Sequence, residues 1–159
     1  MSLDAVTYMS PKTKHLFPNV LLLGEVDRLL AAGRDVVLVP KGRSMLPFIR
    51  GGTDKVLLRK PTANELSVGD IVLARMDADQ YVMHRIIAIH GEKVTLMGDG
   101  NLRGTEEIER KEVVGKVIEI ITPSGQHCKP SHGWLWRKLL PIRKYLLKIY
   151  RKWNKLKKK

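Results

Sequence analysis

The feature of this sequence that most limits its fold is a series of short apolar runs between residues 35 and 121. Each run spans four to nine residues and most are rich in β-branched side chains, which is typical of strands. The predicted strands are Asp35–Pro40, Lys55–Arg59, Ile71–Arg75, Tyr81–Ile89, Val94–Met97 and Val113–Ile121. Their close spacing predicts a mainly antiparallel β domain over residues 34–122, with a hairpin turn at residues 90–93.

The segment before this β region combines a polar lead-in with an amphipathic helix. Residues 1–16 contain no long apolar run, so we expect them to be poorly ordered. From Pro18 to Ala32 the apolar residues follow helical spacing on one face, and Pro18 suits a first helical turn. Residues 1–33 therefore form the first predicted unit.

The segment after the β region changes to a helical pattern. Between Leu135 and Leu156 the apolar residues recur at alternating spacings of four and three, which predicts a helix with one apolar stripe. Pro141 lies inside this stripe, so we expect two helical pieces. Residues 123–159 are thus predicted to be a helical tail.

The positive charge of the chain is concentrated in that tail. The net charge is +13, and residues 129–159 contain 12 Lys and Arg and no acidic residue. Residues 1–128 contain 17 basic and 16 acidic residues, so the body is nearly neutral. This distribution argues against a body that binds nucleic acid over its whole surface.

The sequence is compatible with three interpretations of what the tail contacts. Aromatic and basic side chains alternate over residues 131–159, a pattern that suits the surface of an anionic membrane. Alternatively, Leu135, Leu139 and Leu146 pack on the β body and leave a solvated basic face. The third interpretation is a nucleic-acid or protein partner.

Several classes of protein are disfavoured by composition. The single cysteine, Cys128, excludes an internal disulfide and a cysteine-based zinc site, and the five histidines form no local metal-binding pair. We therefore predict no cofactor and no metal.

No apolar run approaches the ~20 residues of a membrane span, and residues 1–16 do not resemble a signal peptide. The expected location is cytoplasmic, with peripheral membrane association through the tail.

Three polar residues in separate strings are candidates for catalysis. Ser44 lies in KGRSMLPF, where a turn can expose its hydroxyl beside backbone N–H groups. His84 lies in the strand YVMHRIIAI and can act as a general base, and Asp99 in LMGDGN can orient an imidazole. Each also has an ordinary structural explanation: a turn serine, a strand histidine bonded to backbone, and an aspartate that caps its own turn.

Taken in order, these strings resemble signal peptidases of the endoplasmic-reticulum and archaeal type. The resemblance runs through GRSMLPFIRGGTDKVLLRK, LSVGDIVLAR, YVMHRIIAI, TLMGDGN and EVVGKVIEI, which together span about residues 38–121. It implies the coiled, mostly antiparallel β fold shared by signal peptidases and LexA-type repressors. The LexA-type repressors use a lysine base, whereas this chain has His84 at the matching point and no preceding helix-turn-helix.

The resemblance implies a role for each matching residue. Ser44 matches the nucleophile, His84 the general base and Asp99 the aspartate of the Gly-Asp-x-Asn box. Other positions match those that shape the serine turn and the substrate cleft: Gly42, Met45 and Pro47. The resemblance also implies a peptide or protein substrate that lies extended beside a strand edge and is cleaved after a small residue.

The sequence departs from the family pattern at the acid and at the membrane anchor. Where the family continues to a pair of aspartates, this chain has Glu106 and Glu107, so the acid could be Asp99, Glu106 or Glu107. The helix over residues 18–32 stands where the family has an N-terminal anchor. Two functions follow: a serine endopeptidase with a Ser-His mechanism, or an inactive peptide-binding module associated with a membrane or protein partner.

Overall fold

The computed structural model describes residues 7–10, 13–15, 19–77 and 80–156, and these residues form a mainly β protein. The strands are β1 Thr7–Ser10, β2 Thr13–His15, β3 Val36–Val39, β4 Lys55–Arg59, β5 Ile71–Asp77, β6 Gln80–His90, β7 Lys93–Met97, β8 Glu106–Glu109, β9 Val113–Ile121 and β10 His127–Cys128. The helices are α1 Asn19–Ala31, α2 Trp134–Lys138 and α3 Arg143–Leu156. The predicted fold class, a mainly antiparallel β structure with an N-terminal helix and C-terminal helices, is confirmed.

The described strands form one open sheet in which every pairing is antiparallel. Their order is β2-β1-β3-β4-β9-β5-β6-β7-β8, and β10 pairs with β9. The long strand β9 lies between β4 and β5, and register shifts occur in both of these pairings. Such shifts increase the local twist, so they favour a coiled sheet over a flat one.

The sheet separates two hydrophobic clusters. One cluster contains the buried face of α1 together with Met45, Ile49 and Met83. The other contains Val82 and Ile86 of β6, with buried residues of β5, β7, β8 and β9. Because successive side chains of a strand point to opposite faces, β6 contributes to both clusters.

The N-terminal residues differ from the expected disordered lead-in. Strands β1 and β2 pair with each other, and β1 also pairs with β3 at Tyr8 and Leu38. Part of the predicted lead-in thus extends the sheet, because β3 offers an edge that a short β-prone segment can join. The predicted helix is present as α1, whereas Pro18 lies outside the described residues.

The tail forms two helices separated by a turn that contains Pro141, as the sequence predicts. The side chains that bury against the body are Arg143 and Leu147, whereas Leu135 is exposed and Leu139 and Leu146 are half-buried. Within the described residues, no helix is long and apolar enough to cross a membrane.

Candidate active site

Ser44 lies on a tight segment between β3 and β4 that is anchored in the core. The side chains of Met45 and Ile49 are buried, and the Ile49 N–H donates to the Met45 carbonyl oxygen at 3.0 Å. At the base of the segment Gly51 packs on Gly42, where a Cβ on Gly51 would lie 2.1 Å from the Gly42 oxygen. These contacts hold Ser44 half-buried on a defined turn.

The loop of residues 98–101 supports the Ser44 turn from the other side. The Gly100 N–H donates to the Ser44 carbonyl oxygen at 2.7 Å. A Cβ on Gly100 would lie 2.4 Å from the Arg43 oxygen, and a Cβ on Gly98 would lie 2.6 Å from the Ser44 oxygen. Both glycines of the Gly-Asp-Gly string are therefore required for this close backbone contact.

Replacing Gly100 with alanine is expected to displace the Ser44 turn. The added Cβ meets backbone rather than a flexible side chain, so the turn must move to relieve the contact. We expect a lower melting temperature and loss of the Ser44 reactivity proposed below, as measured by thermal unfolding and adduct mass. Gly24→Ala in α1 is the control, since no atom apart from its chain neighbours and the nearby backbone of its own helix lies within 4 Å of its Cβ position, and a helical alanine stabilises by up to about 1 kcal/mol. If Ser44 kept its reactivity in Gly100→Ala, the close contact between Gly100 and the Ser44 turn would not be needed to hold the turn in place.

His84 lies in the middle of β6 and its side chain is only 1% exposed. Its Nδ1 atom lies 2.8 Å from Oε2 of Glu106, the first residue of β8. A carboxylate at this distance favours the tautomer in which Nδ1 carries the proton and Nε2 is free to accept one. The pair therefore has the geometry of an oriented general base.

The three candidate acids have different surroundings. Glu106 is half-buried against His84, whereas Glu107 is exposed and, as the next residue of the same strand, points to the opposite face. Asp99 is 3% exposed and accepts hydrogen bonds from Nε and Nη2 of Arg85 at 2.7 to 3.1 Å. The structure thus brings Glu106 to His84, and it pairs Asp99 with Arg85.

Arg85 is a site residue to which sequence reasoning assigned no role. It is fully buried and, besides Asp99, donates to the carbonyl oxygens of Gly69 and Ser131. Its guanidinium also lies 5.0 Å from the ring centre of Phe48, which follows the Ser44 turn. The sequence did contain a signal for this pairing, since Arg85 lies inside an apolar strand. A guanidinium that is buried there needs an acidic partner.

Ser44 and His84 are not joined by a hydrogen bond among the described residues. Met83, the neighbour of His84 in β6, lines a shallow cleft together with the serine turn, whereas His84 is not among the residues that line it. The cleft residues are Pro40, Lys41, Gly42, Ser44, Met45, Ile49, Gly51 and Met83. Catalytic hydrogen bonds are often long before substrate binds, so a Ser44–His84 contact stays a prediction.

Part of strand β6 next to this cleft pairs with a described strand on one side only. Residues 80–84 pair with β5 on one side, while the pairing with β7 on the other side begins at Arg85. Among the described strands, none pairs with residues 82–84 on the β7 side. An extended peptide could therefore add to this edge as a further strand.

Comparison with known proteins does not assign this chain to a family. No family model matches the chain, and no curated protein matches it. Within the part of the chain that the structure describes, no three His, Cys, Asp or Glu side chains converge as metal ligands would.

Proposed function

We propose that this protein is a signal-peptidase-like serine endopeptidase that uses Ser44, His84 and Glu106. The observation that carries the proposal is the 2.8 Å contact between His84 and Glu106, made by a buried histidine on the strand beside the serine cleft. His84 is buried whereas Glu106 is half-buried, so the carboxylate is the polar partner of an imidazole that is shielded from water. The order of the motifs along the chain supports the same assignment.

The proposed reaction is acyl transfer through Ser44. Nε2 of His84 accepts the proton of the Ser44 hydroxyl as its oxygen attacks the peptide carbonyl carbon, and backbone N–H groups of the turn stabilise the oxyanion. The imidazolium then donates that proton to the leaving amine, and the C–N bond breaks. Water, deprotonated by the same nitrogen, hydrolyses the acyl-enzyme. Glu106 acts by holding Nδ1–H throughout.

The proposed substrate is an extended peptide paired with the edge of β6 at residues 82–84. Strand addition at this edge would carry the peptide past the cleft that contains Ser44. The cleft is shallow and includes Gly42 and Gly51, which supports a small side chain next to the cleaved bond.

A second candidate function is peptide binding without cleavage. It is favoured by one observation, the absence of a Ser44–His84 hydrogen bond among the described residues. In this case the cleft and the β6 edge would still bind an extended peptide, whereas the serine would lack an activating base.

Reaction with a serine-directed fluorophosphonate or penem distinguishes the two functions, with adduct mass as the measurement. We expect one adduct in the wild type and none in Ser44→Ala or His84→Ala. Ser124→Ala is a matched control that should keep the adduct, since this exposed serine bonds only within its own turn. An adduct that survives Ser44→Ala would remove Ser44 from the mechanism. A folded wild type that binds peptide but forms no adduct would support the binding module.

A further inference from the structure

The exposed apolar side chains of the described residues are concentrated in the tail. Apart from Val68 and Leu102, the large apolar residues that are exposed in the described part of the chain all lie between residues 134 and 156. They are Trp134, Leu135, Leu140, Ile142, Tyr145, Ile149, Trp153 and Leu156. A concentration of this kind marks a surface that contacts something other than water.

Helix α3 presents three different faces, as follows from 100° of rotation per residue. The face toward the body contains the buried Arg143 and Leu147. A second, exposed apolar face consists of Tyr145, Ile149, Trp153 and Leu156, and we call it the apolar face. The third, the basic face, consists of Lys144, Lys148, Arg151, Lys152 and Lys155, all exposed. The border between the apolar face and the basic face therefore lies on the side of α3 opposite the body.

Several contacts fix the orientation of these faces relative to the body. Nε1 of Trp136 donates to the Asp99 carbonyl oxygen at 2.8 Å, and its ring packs edge-on against Phe48. Arg143 donates to the carbonyl oxygens of Asn101 and Trp136. Because Arg143 and Leu147 occupy the body side of α3, the apolar face is held toward the outside.

The composition of the tail selects one kind of partner. The 12 basic and no acidic residues between 129 and 159 call for an anionic partner. Nucleic acid would pair with the basic face but would leave the apolar face in water. The surface of an anionic bilayer meets both, since apolar side chains enter the acyl boundary while Lys and Arg contact the lipid phosphates.

We propose that the apolar and basic faces of α3, with the exposed side chains of α2, form a docking surface for an anionic phospholipid bilayer. The helices lie along the bilayer surface. The contacts of Trp136 and Arg143 are made with the loop of residues 98–101, which also supports Ser44. Docking would therefore hold the cleft close to the bilayer. This proposal is independent of whether Ser44 is catalytic.

Co-sedimentation of the full chain with vesicles tests the proposal. One set is phosphatidylcholine alone, and the other contains equal parts of phosphatidylcholine and phosphatidylglycerol. We expect binding to the anionic vesicles only, together with a blue shift of tryptophan emission as the interfacial tryptophans leave water. Raising the salt from 0.1 M to 1 M shortens the Debye length from about 10 Å to about 3 Å and should release much of the protein.

Two double variants separate the contributions of the two faces. Lys148→Gln with Lys152→Gln should weaken partitioning by about twenty- to thirtyfold, since each basic residue contributes about fivefold near such a surface. Ile149→Ser with Leu156→Ser should weaken it by at least about tenfold, because both side chains lose the gain from burial. The matched controls are Lys93→Gln and Leu102→Ser, which alter an exposed lysine and an exposed leucine outside the tail. They should bind like the wild type.

Three results would overturn the proposal, provided that circular dichroism shows folded protein. The first is equal binding to neutral and anionic vesicles, and the second is binding to neither. The third is tight binding to duplex DNA, with vesicle binding that the apolar double variant does not reduce, which would assign the tail to nucleic acid instead.

Discussion

Glu106→Gln is expected to lower kcat for peptide cleavage by about four orders of magnitude while the fold stays intact. A glutamine can place its amide nitrogen toward Nδ1 of His84, which favours the tautomer whose Nε2 carries a proton and cannot act as a base. Loss of an orienting carboxylate in this way costs about 10⁴-fold in catalysis with little change in geometry. The effect should fall on kcat, because Glu106 contacts the histidine and lies outside the residues that line the cleft.

Glu107→Gln is the matched control for this experiment. It removes the same charge from the next residue, whose exposed side chain points to the other face of β8, so we expect kcat to stay within about twofold. The measurement is steady-state kinetics on a peptide with a small residue before the cleaved bond. If Glu107→Gln lost activity and Glu106→Gln kept it, the assignment of Glu106 as the acid that orients His84 would be wrong.

Asp99→Asn is expected to lower the free energy of unfolding by about 3 to 5 kcal/mol, the usual cost of removing one partner of a buried ion pair. The side chains of Arg85 and Asp99 are 0% and 3% exposed. The asparagine would leave the guanidinium buried without a counter-charge. The loop of residues 98–101 should loosen first, since Asp99 ties it to β6.

Chemical denaturation measures this effect, and Asp35→Asn is its control. Asp35 pairs with Arg59 at the surface, where such pairs contribute at most about 1 kcal/mol. Arg59 lowers the pKa of the Asp35 carboxyl through its hydrogen bond, so that small contribution is present near neutral pH and disappears as acid protonates the carboxyl. Asp99→Asn with Arg85→Met should recover part of the loss, because the Arg85 charge is then no longer buried without its partner.

The same variant also decides between the candidate acids. If Asp99→Asn kept its stability and lost kcat, Asp99 would be the orienting acid and the pairing with Arg85 would be secondary. If it lost stability and the remaining folded protein kept kcat, the assignment to Glu106 would be supported.

Local patterns were sufficient for much of the fold. The β-branched runs identified strands β3 to β7 and β9, and the 4-3 spacing of the tail with Pro141 identified two helices. Strands β1, β2, β8 and β10 were missed. They are two to four residues long, and strands this short depend on pairing with a neighbour that is distant in the chain, so their own residues carry little signal.

The sequence also did not predict which face of the tail helix packs on the body. One of the open interpretations had Leu135, Leu139 and Leu146 packed on the body, whereas the buried side chains of the tail are Arg143 and Leu147. Periodicity identifies the faces of a helix, but which face meets the body depends on the shape and hydrogen-bonding groups of the surface that receives it.

By itself the sequence determined the class of fold, the serine turn and the set of residues from which a catalytic site could be built. Only the tertiary structure decided that Glu106, 22 positions after His84, meets its imidazole, and that the nearer Asp99 is bound by Arg85. The reason is that a side chain's partner depends on strand register and on which face of the strand it occupies. Those are set by pairing and packing across the whole sheet, and no local pattern encodes them.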